Sequence, residues 1–89
     1  MSSVDDLIVG RVLSVDDHPG ARGPSFLLRL DCGGRGEIEA QMEPGDYDKD
    51  ELAGTLVIVG DGIVLAARSH GGVRLVRPDG DVEPGTVVA

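Results

Sequence analysis

Few residue combinations in this chain have the types and spacing to do chemistry. Asp16, Asp17 and His18 precede Pro19 and Gly20, and two carboxylates with an imidazole are ligand types that suit a divalent cation. In a polar turn, however, such a trio is expected to be solvated. Asp46, Asp48 and Asp50 follow the spacing of a calcium loop, yet Glu51 replaces the glycine of its sharp turn and Val57 replaces its bidentate glutamate. Ser69 and His70 are adjacent, and neighbours on a turn point apart, so no nucleophile–base pair with a placed acid results. Cys32 shares its parity with Phe26, Leu28 and Leu30, which makes it a small buried hydrophobe rather than a nucleophile. The sequence therefore predicts no catalytic site, metal or cofactor, and a protein that is not an enzyme.

Binding to single-stranded nucleic acid is a different chemistry. It requires a cationic groove along the phosphates and aromatic faces for the bases. The candidate residues are Arg11, Arg22 and Arg29 near the first two strands, with Phe26 as a stacking face, and Arg68 and Arg74 on the closing strands. Parity places Phe26 in the core, and Tyr47 reads as packing for a short helix. The closing-strand arginines, with Arg77, read as solvated strand faces paired with acids. Only 8 Lys and Arg stand against 16 Asp and Glu, a formal charge of -8.

Eighty-nine residues suit one small domain spanning the whole chain, 1–89, with a core of Val, Leu and Ile. The single cysteine rules out an internal disulfide. No apolar run approaches the roughly 20 residues of a helical membrane span, and an acidic pair, Asp5-Asp6, stands where a signal peptide is basic, so a cytoplasmic protein is expected. Seven of the eight cations are Arg, and only Lys49 is Lys. A GC-rich genome would account for that bias but not for the twofold acid excess. The excess suggests adaptation to concentrated salt, where screening removes self-repulsion while charge maintains hydration.

The elements that must position these residues are short and mostly of period two. Residues 7–15 are apolar on both parities, as in a curved barrel strand, with Gly10 as the expected bend or bulge. Phe26, Leu28, Leu30 and Cys32 define the inner face of a second strand. Ile38, Ala40 and Met42 do the same for a third. Residues 43–54 hold the one helical candidate, with Asp46 or Asp48 as cap and Gly54 as terminator. Residues 55–59 and 63–68 read as strands around a Gly60-Asp61-Gly62 hairpin turn, followed by strands at 73–77 and 86–88. The expected fold is all-β: a small OB-like barrel with one short helix.

Val9, Gly10, Arg11, Asp17, Pro19, Ala21 and Pro24 resemble the opening of the tRNA-binding OB domains, most closely the CsaA branch. Ile38, Gln41, Tyr47, Glu51, Leu52 and Gly54 resemble that family's third strand and Tyr-x-x-x-Glu-Leu-x-Gly segment, and VRLVRPDGDVEPGTVV resembles its closing strand and terminus. The resemblance covers most of the chain and implies the OB fold. After Val59, Gly60-Asp61-Gly62 stands in place of the family's Asn-Leu/Phe-Pro-Pro stretch and Gly-x-x-Ser element. Arg22-Gly23 occupies the neighbourhood of a frequent lysine.

The expected function is thus a compact acidic OB module with much of the nucleic-acid site pared away, serving protein interaction, with another protein or itself as a homodimer. A weak binder of tRNA or single-stranded nucleic acid and a CsaA-like chaperone are the alternatives. The charge pattern makes its own prediction. Near like-charged pairs repel by about 1 kcal/mol at 4 Å in water, and a small domain has only about 5 kcal/mol of net stability. The melting temperature should therefore rise strongly across a potassium chloride series from about 0.05 to about 3 M, as the screening length falls to about 3 Å. A flat curve would remove the high-salt reading.

Overall fold

Why a chain this rich in short apolar runs closes on itself is visible in its first strand. The computed structural model describes residues 7–20 and 22–88; Asp5, Asp6 and Ala21, invoked above, lie outside the described residues. Strand β1 (Leu7–Asp17) is followed by β2 (Phe26–Asp31), β3 (Glu37–Met42), helix α1 (Lys49–Leu52), β4 (Leu56–Gly60), β5 (Ile63–Val64), β6 (Ala66–Ser69), β7 (Gly72–Leu75) and β8 (Val87–Val88). Strand β1 pairs with β4 through residues 8–11 and with β2 through residues 11–17. Its neighbours are joined in turn: β2 pairs with β3, β4 with β5, and β3 closes on β5 in parallel at Gln41↔Ile63. The result is a closed five-stranded barrel with its helix between the third and fourth strands, the OB arrangement.

One strand can serve two neighbours in succession only if it bends. The bend is a register shift in the β1–β2 ladder between Val12 and Ser14, and it leaves Leu13 45% exposed. This corrects the expectation for Gly10. A Cβ there would lie 3.3 Å from both Cys32 Sγ and Leu30 Cβ, so Gly10 is small because the second strand passes close to it.

Inside the barrel the parity reading holds. Leu28, Leu30 and Cys32 are fully enclosed, and Phe26, Ala40, Met42, Val57, Val59 and Val64 are buried with them. Helix α1 has only four residues, and its buried Leu52 joins the same core. Asp48, not Asp46, occupies the N-cap, where its backbone N–H donates to Glu51 Oε1 at 2.7 Å. Gly54, at φ 82°, ends the helix and donates its N–H to Val12 O at 2.8 Å.

One expectation changes after the barrel. Residues 63–68 are not one strand: they divide at Leu65 between β5, in the barrel, and β6, which forms a separate two-stranded sheet with β7. A closed barrel needs only the two residues of β5 at this point, both paired with β4 and Ile63 also with β3, and the rest of the run is free to leave. The Asp61-Gly62 turn has φ of 53° and 74°, the positive values of a type I′ hairpin, which accounts for the glycine.

The last segment returns to the barrel through a glycine contact. Gly85 donates to Val9 O at 2.7 Å, and Val9 donates to Thr86 O at 2.9 Å, which guides β8 alongside β1. A Cβ on Gly85, at φ 91°, would overlap the carbonyl of Cys32. The same contact helps seal Cys32, whose thiol burial pushes above its ordinary range; Asp31 adds to this and Arg35 opposes it. Gly85→Ala should therefore cost at least about 1–3 kcal/mol in backbone strain, lowering the melting temperature by about 5 °C or more. Gly34→Ala, which meets nothing within 4 Å, should stay within about 0.5 kcal/mol of wild type in urea titrations. A thiol reagent should label Cys32 only as fast as the protein opens, and faster in Gly85→Ala. Immediate labelling of the wild type would contradict this seal.

Candidate ligand face of the barrel

OB barrels take ligands on the outer face of the second and third strands, beside the loops that join the first to the second and the fourth to the fifth. In this chain the face is set by strand alternation. With Phe26, Leu28 and Leu30 inward, Leu27 and Arg29 point outward, paired across the ladder with Gln41 and Glu39. The turn after β1 brings His18 to one side and the Asp61-Gly62 turn closes the other. Between them lies a depression of about 450 Å³ lined by His18, Leu27, Glu39, Gln41, Asp61 and Ile63. Ile63 is 57% exposed, and the Nδ1 of His18 is buried without a hydrogen-bond partner.

The electrostatics of this face are unlike those of a phosphate-binding groove. Arg29 reaches toward Glu37, at 3.4 Å, and Glu39, at 3.6 Å, so the one cation of the central strands is flanked by two carboxylates. Arg11 donates to Gly54 O at 3.0 Å, on the β4 side of β1, and serves the helix connection. Lys49 pairs with Asp17 at 3.0 Å and lies 6.0 Å from the Phe26 ring centroid. Phe26 is 8% exposed, so its ring is a core element and not a free stacking face.

The remaining candidates are dispersed. Arg22 is exposed in the β1–β2 turn. Arg68 pairs with Glu43, and Arg74 donates to Val73 O at 2.9 Å, both in the β6–β7 hairpin beyond the barrel. The structure thus brings Arg29 to the outer face and Arg22 to its flanking loop, and leaves Arg11, Arg68 and Arg74 in other surroundings.

Sequence reasoning missed two features. Tyr47 does more than pack beside the helix: its hydroxyl accepts the N–H of Leu75 at 3.0 Å and Arg77 lies 5.9 Å from its ring, so it fastens β7 to the barrel. Ile63 opens the apolar run 63–68, which carries no clean alternation, and as the first residue after a type I′ turn it faces outward onto the ligand face. Period two over a run split between two sheets gave no signal for this. Among the described residues, no three His, Cys, Asp or Glu side chains are grouped as a metal site, and no helix is long and apolar enough to cross a membrane.

No protein-family model matches the chain, and no curated protein sequence does. Solved structures do. The crystal structure of the CsaA chaperone protein from Picrophilus torridus superimposes with a TM-score of 0.85 and 29% sequence identity, over 96% of this chain and 92% of that one. The CsaA chaperone from Bacillus anthracis superimposes with a TM-score of 0.79 and 23% identity, over 96% and 91%. The chain therefore has the tRNA-binding-domain-like OB fold, and its structural neighbours are CsaA chaperone proteins.

Proposed function

We propose that this chain is a polypeptide-binding module of the CsaA-chaperone kind, which holds unfolded segments without net negative charge. The observation that carries this reading is the ligand face itself: an exposed isoleucine among Glu39, Asp61 and Gln41, with its central arginine held between two glutamates. A phosphate backbone would meet carboxylates there and be repelled. An apolar segment with neutral or basic flanks would cover Ile63 and find its charges matched. The likeness to CsaA chaperone proteins supports the same reading. The overall charge of -8 keeps such a binder soluble while it carries an aggregation-prone client, and suits working conditions of high salt.

Two measurements test the proposal together. Light scattering of a chemically denatured client protein should show slower aggregation as this protein is added toward equimolar amounts. Ile63→Asp, at an exposed position, should lower that protection about fivefold, about 1 kcal/mol of binding, with little change in melting temperature. Fluorescence anisotropy with labelled tRNA should show nothing tighter than the roughly 10⁻⁴ to 10⁻⁶ M of non-specific association. Sub-micromolar, sequence-selective tRNA binding, above all if lost in Arg22→Ala and Arg29→Ala, would replace this reading with the nucleic-acid one.

A further inference from the structure

The β6–β7 hairpin has two edges, and they are treated differently. Val76 N–H donates to Leu65 O at 3.2 Å, which makes Leu65↔Val76 a hydrogen-bonded pair of the antiparallel ladder. Pairs alternate, so Ala67↔Arg74 and Ser69↔Gly72 are bonded as well, while the backbone groups of Ala66, Arg68, Val73 and Leu75 point away from the hairpin. On β7 two of the four outward groups are taken by the protein's own side chains. The Leu75 N–H goes to Tyr47 Oη, and the Val73 carbonyl accepts from Arg74 Nη1. On β6 the N–H and C=O of Ala66 and Arg68 have no hydrogen-bond partner among the described residues, and all four residues of the strand are exposed.

Beside this edge lies the thinnest seam of the closed barrel. Strands β3 and β5 share one residue pair, Gln41↔Ile63. The space left is a recess of about 190 Å³ lined by Met42, Ile63, Val64, Ala66, Arg68 and Val73, with the Arg68–Glu43 ion pair at its border. That volume is below the roughly 300 Å³ at which small-molecule pockets begin, and suits one apolar side chain of a longer ligand. Ile63 lines both this recess and the ligand face, so the two adjoin at that residue.

We propose that an extended segment of a client polypeptide adds to β6 as a further strand, bonding the outward main-chain groups of Ala66 and Arg68 and placing one aliphatic side chain in the recess beside them. The inference rests on the polypeptide-binding reading above and specifies how the client is held. Only another strand offers alternating donors and acceptors at the spacing of an open β edge, and main-chain bonds of this kind are blind to sequence, as a general holder of unfolded chains requires. The carboxylates that flank the edge, Glu43 at the recess and Asp61 and Glu39 on the adjoining face, suit a neutral or basic segment of client chain. With two outward groups of β7 already bonded by Tyr47 and Arg74 and none of those on β6, β6 is the edge that offers a complete set of donors and acceptors.

Amide hydrogen exchange by NMR, with a fluorescein-labelled ten-residue peptide of alternating valine and lysine or serine, reads the addition directly. The Ala66 and Arg68 amides should gain protection of about tenfold or more on peptide binding, while those of Ala67 and Ser69, already in the hairpin, change little. Ala66→Pro removes one outward donor at an edge position that tolerates proline, and Ala66→Leu keeps the donor but fills the recess. Each should weaken peptide affinity about tenfold with the melting temperature nearly unchanged. A peptide N-methylated at alternate residues should lose affinity similarly. Peptide binding that protects the β2–β3 face but not Ala66 and Arg68, or that is indifferent to Ala66→Leu and N-methylation, would overturn strand addition while sparing the polypeptide-binding reading. No binding at millimolar peptide would overturn both. Protection of Ala66 and Arg68 that rises with protein concentration alone would assign the edge to a second copy.

Discussion

The rest of the structure depends on the bend in the first strand. Strand β1 must bond β4 with its first half and β2 with its second, and a straight strand cannot satisfy both without opening the sheet. The shift between Val12 and Ser14 turns it, at the cost of an exposed leucine. From that bend follow the inward rows of β2 and β3 and the close passage of Leu30 and Cys32 over Gly10. The position of Leu52, which closes one end of the core, follows as well. Helix α1 is too short to be stable alone and persists because its flanks are fastened to β1, by Gly54 to Val12 and by Arg11 to Gly54.

Against this well-fastened side, the opposite seam is thin. Closure between β3 and β5 rests on one residue pair, reinforced by the Gln41 N–H bond to Gly62 O at 2.9 Å. Elements near the seam gather the features that a ligand would use: an exposed isoleucine, carboxylates on either side, a recess and a bare strand edge. A barrel tightly closed all round would have none of these. The concentration of exposed apolar and unpaired polar groups on one seam, with the remainder densely packed, is the physical basis for placing binding there.

Charge takes part in this division. The arginines that composition alone would assign to a phosphate groove are distributed among structural tasks: Arg11 holds the helix connection, Arg68 pairs with Glu43, Arg77 lies over Tyr47. Arg29, which does stand on the β2–β3 face, is flanked there by Glu37 and Glu39. Fold likeness to CsaA chaperones and electrostatic unlikeness to a nucleic-acid binder thus coexist, because the fold is set by inward residues and the partner by outward ones.

By itself, the sequence determined the all-β class, the inward rows of β2 and β3, the single short helix and the Asp61-Gly62 turn. Each of these is a local matter of alternation, capping or positive φ, and each reads directly from neighbouring residues. The location of the β1 bulge, the split of residues 63–68 at Leu65, the outward turn of Ile63 and the role of Tyr47 were decided only in the tertiary structure. These depend on which distant strands meet. A strand's period records that alternate side chains differ in burial, but not which partner each edge finds, nor where a closing sheet has no further use for the chain. The candidate site is made of such leftover edges and faces, and for that reason the sequence disclosed the barrel more fully than the candidate site.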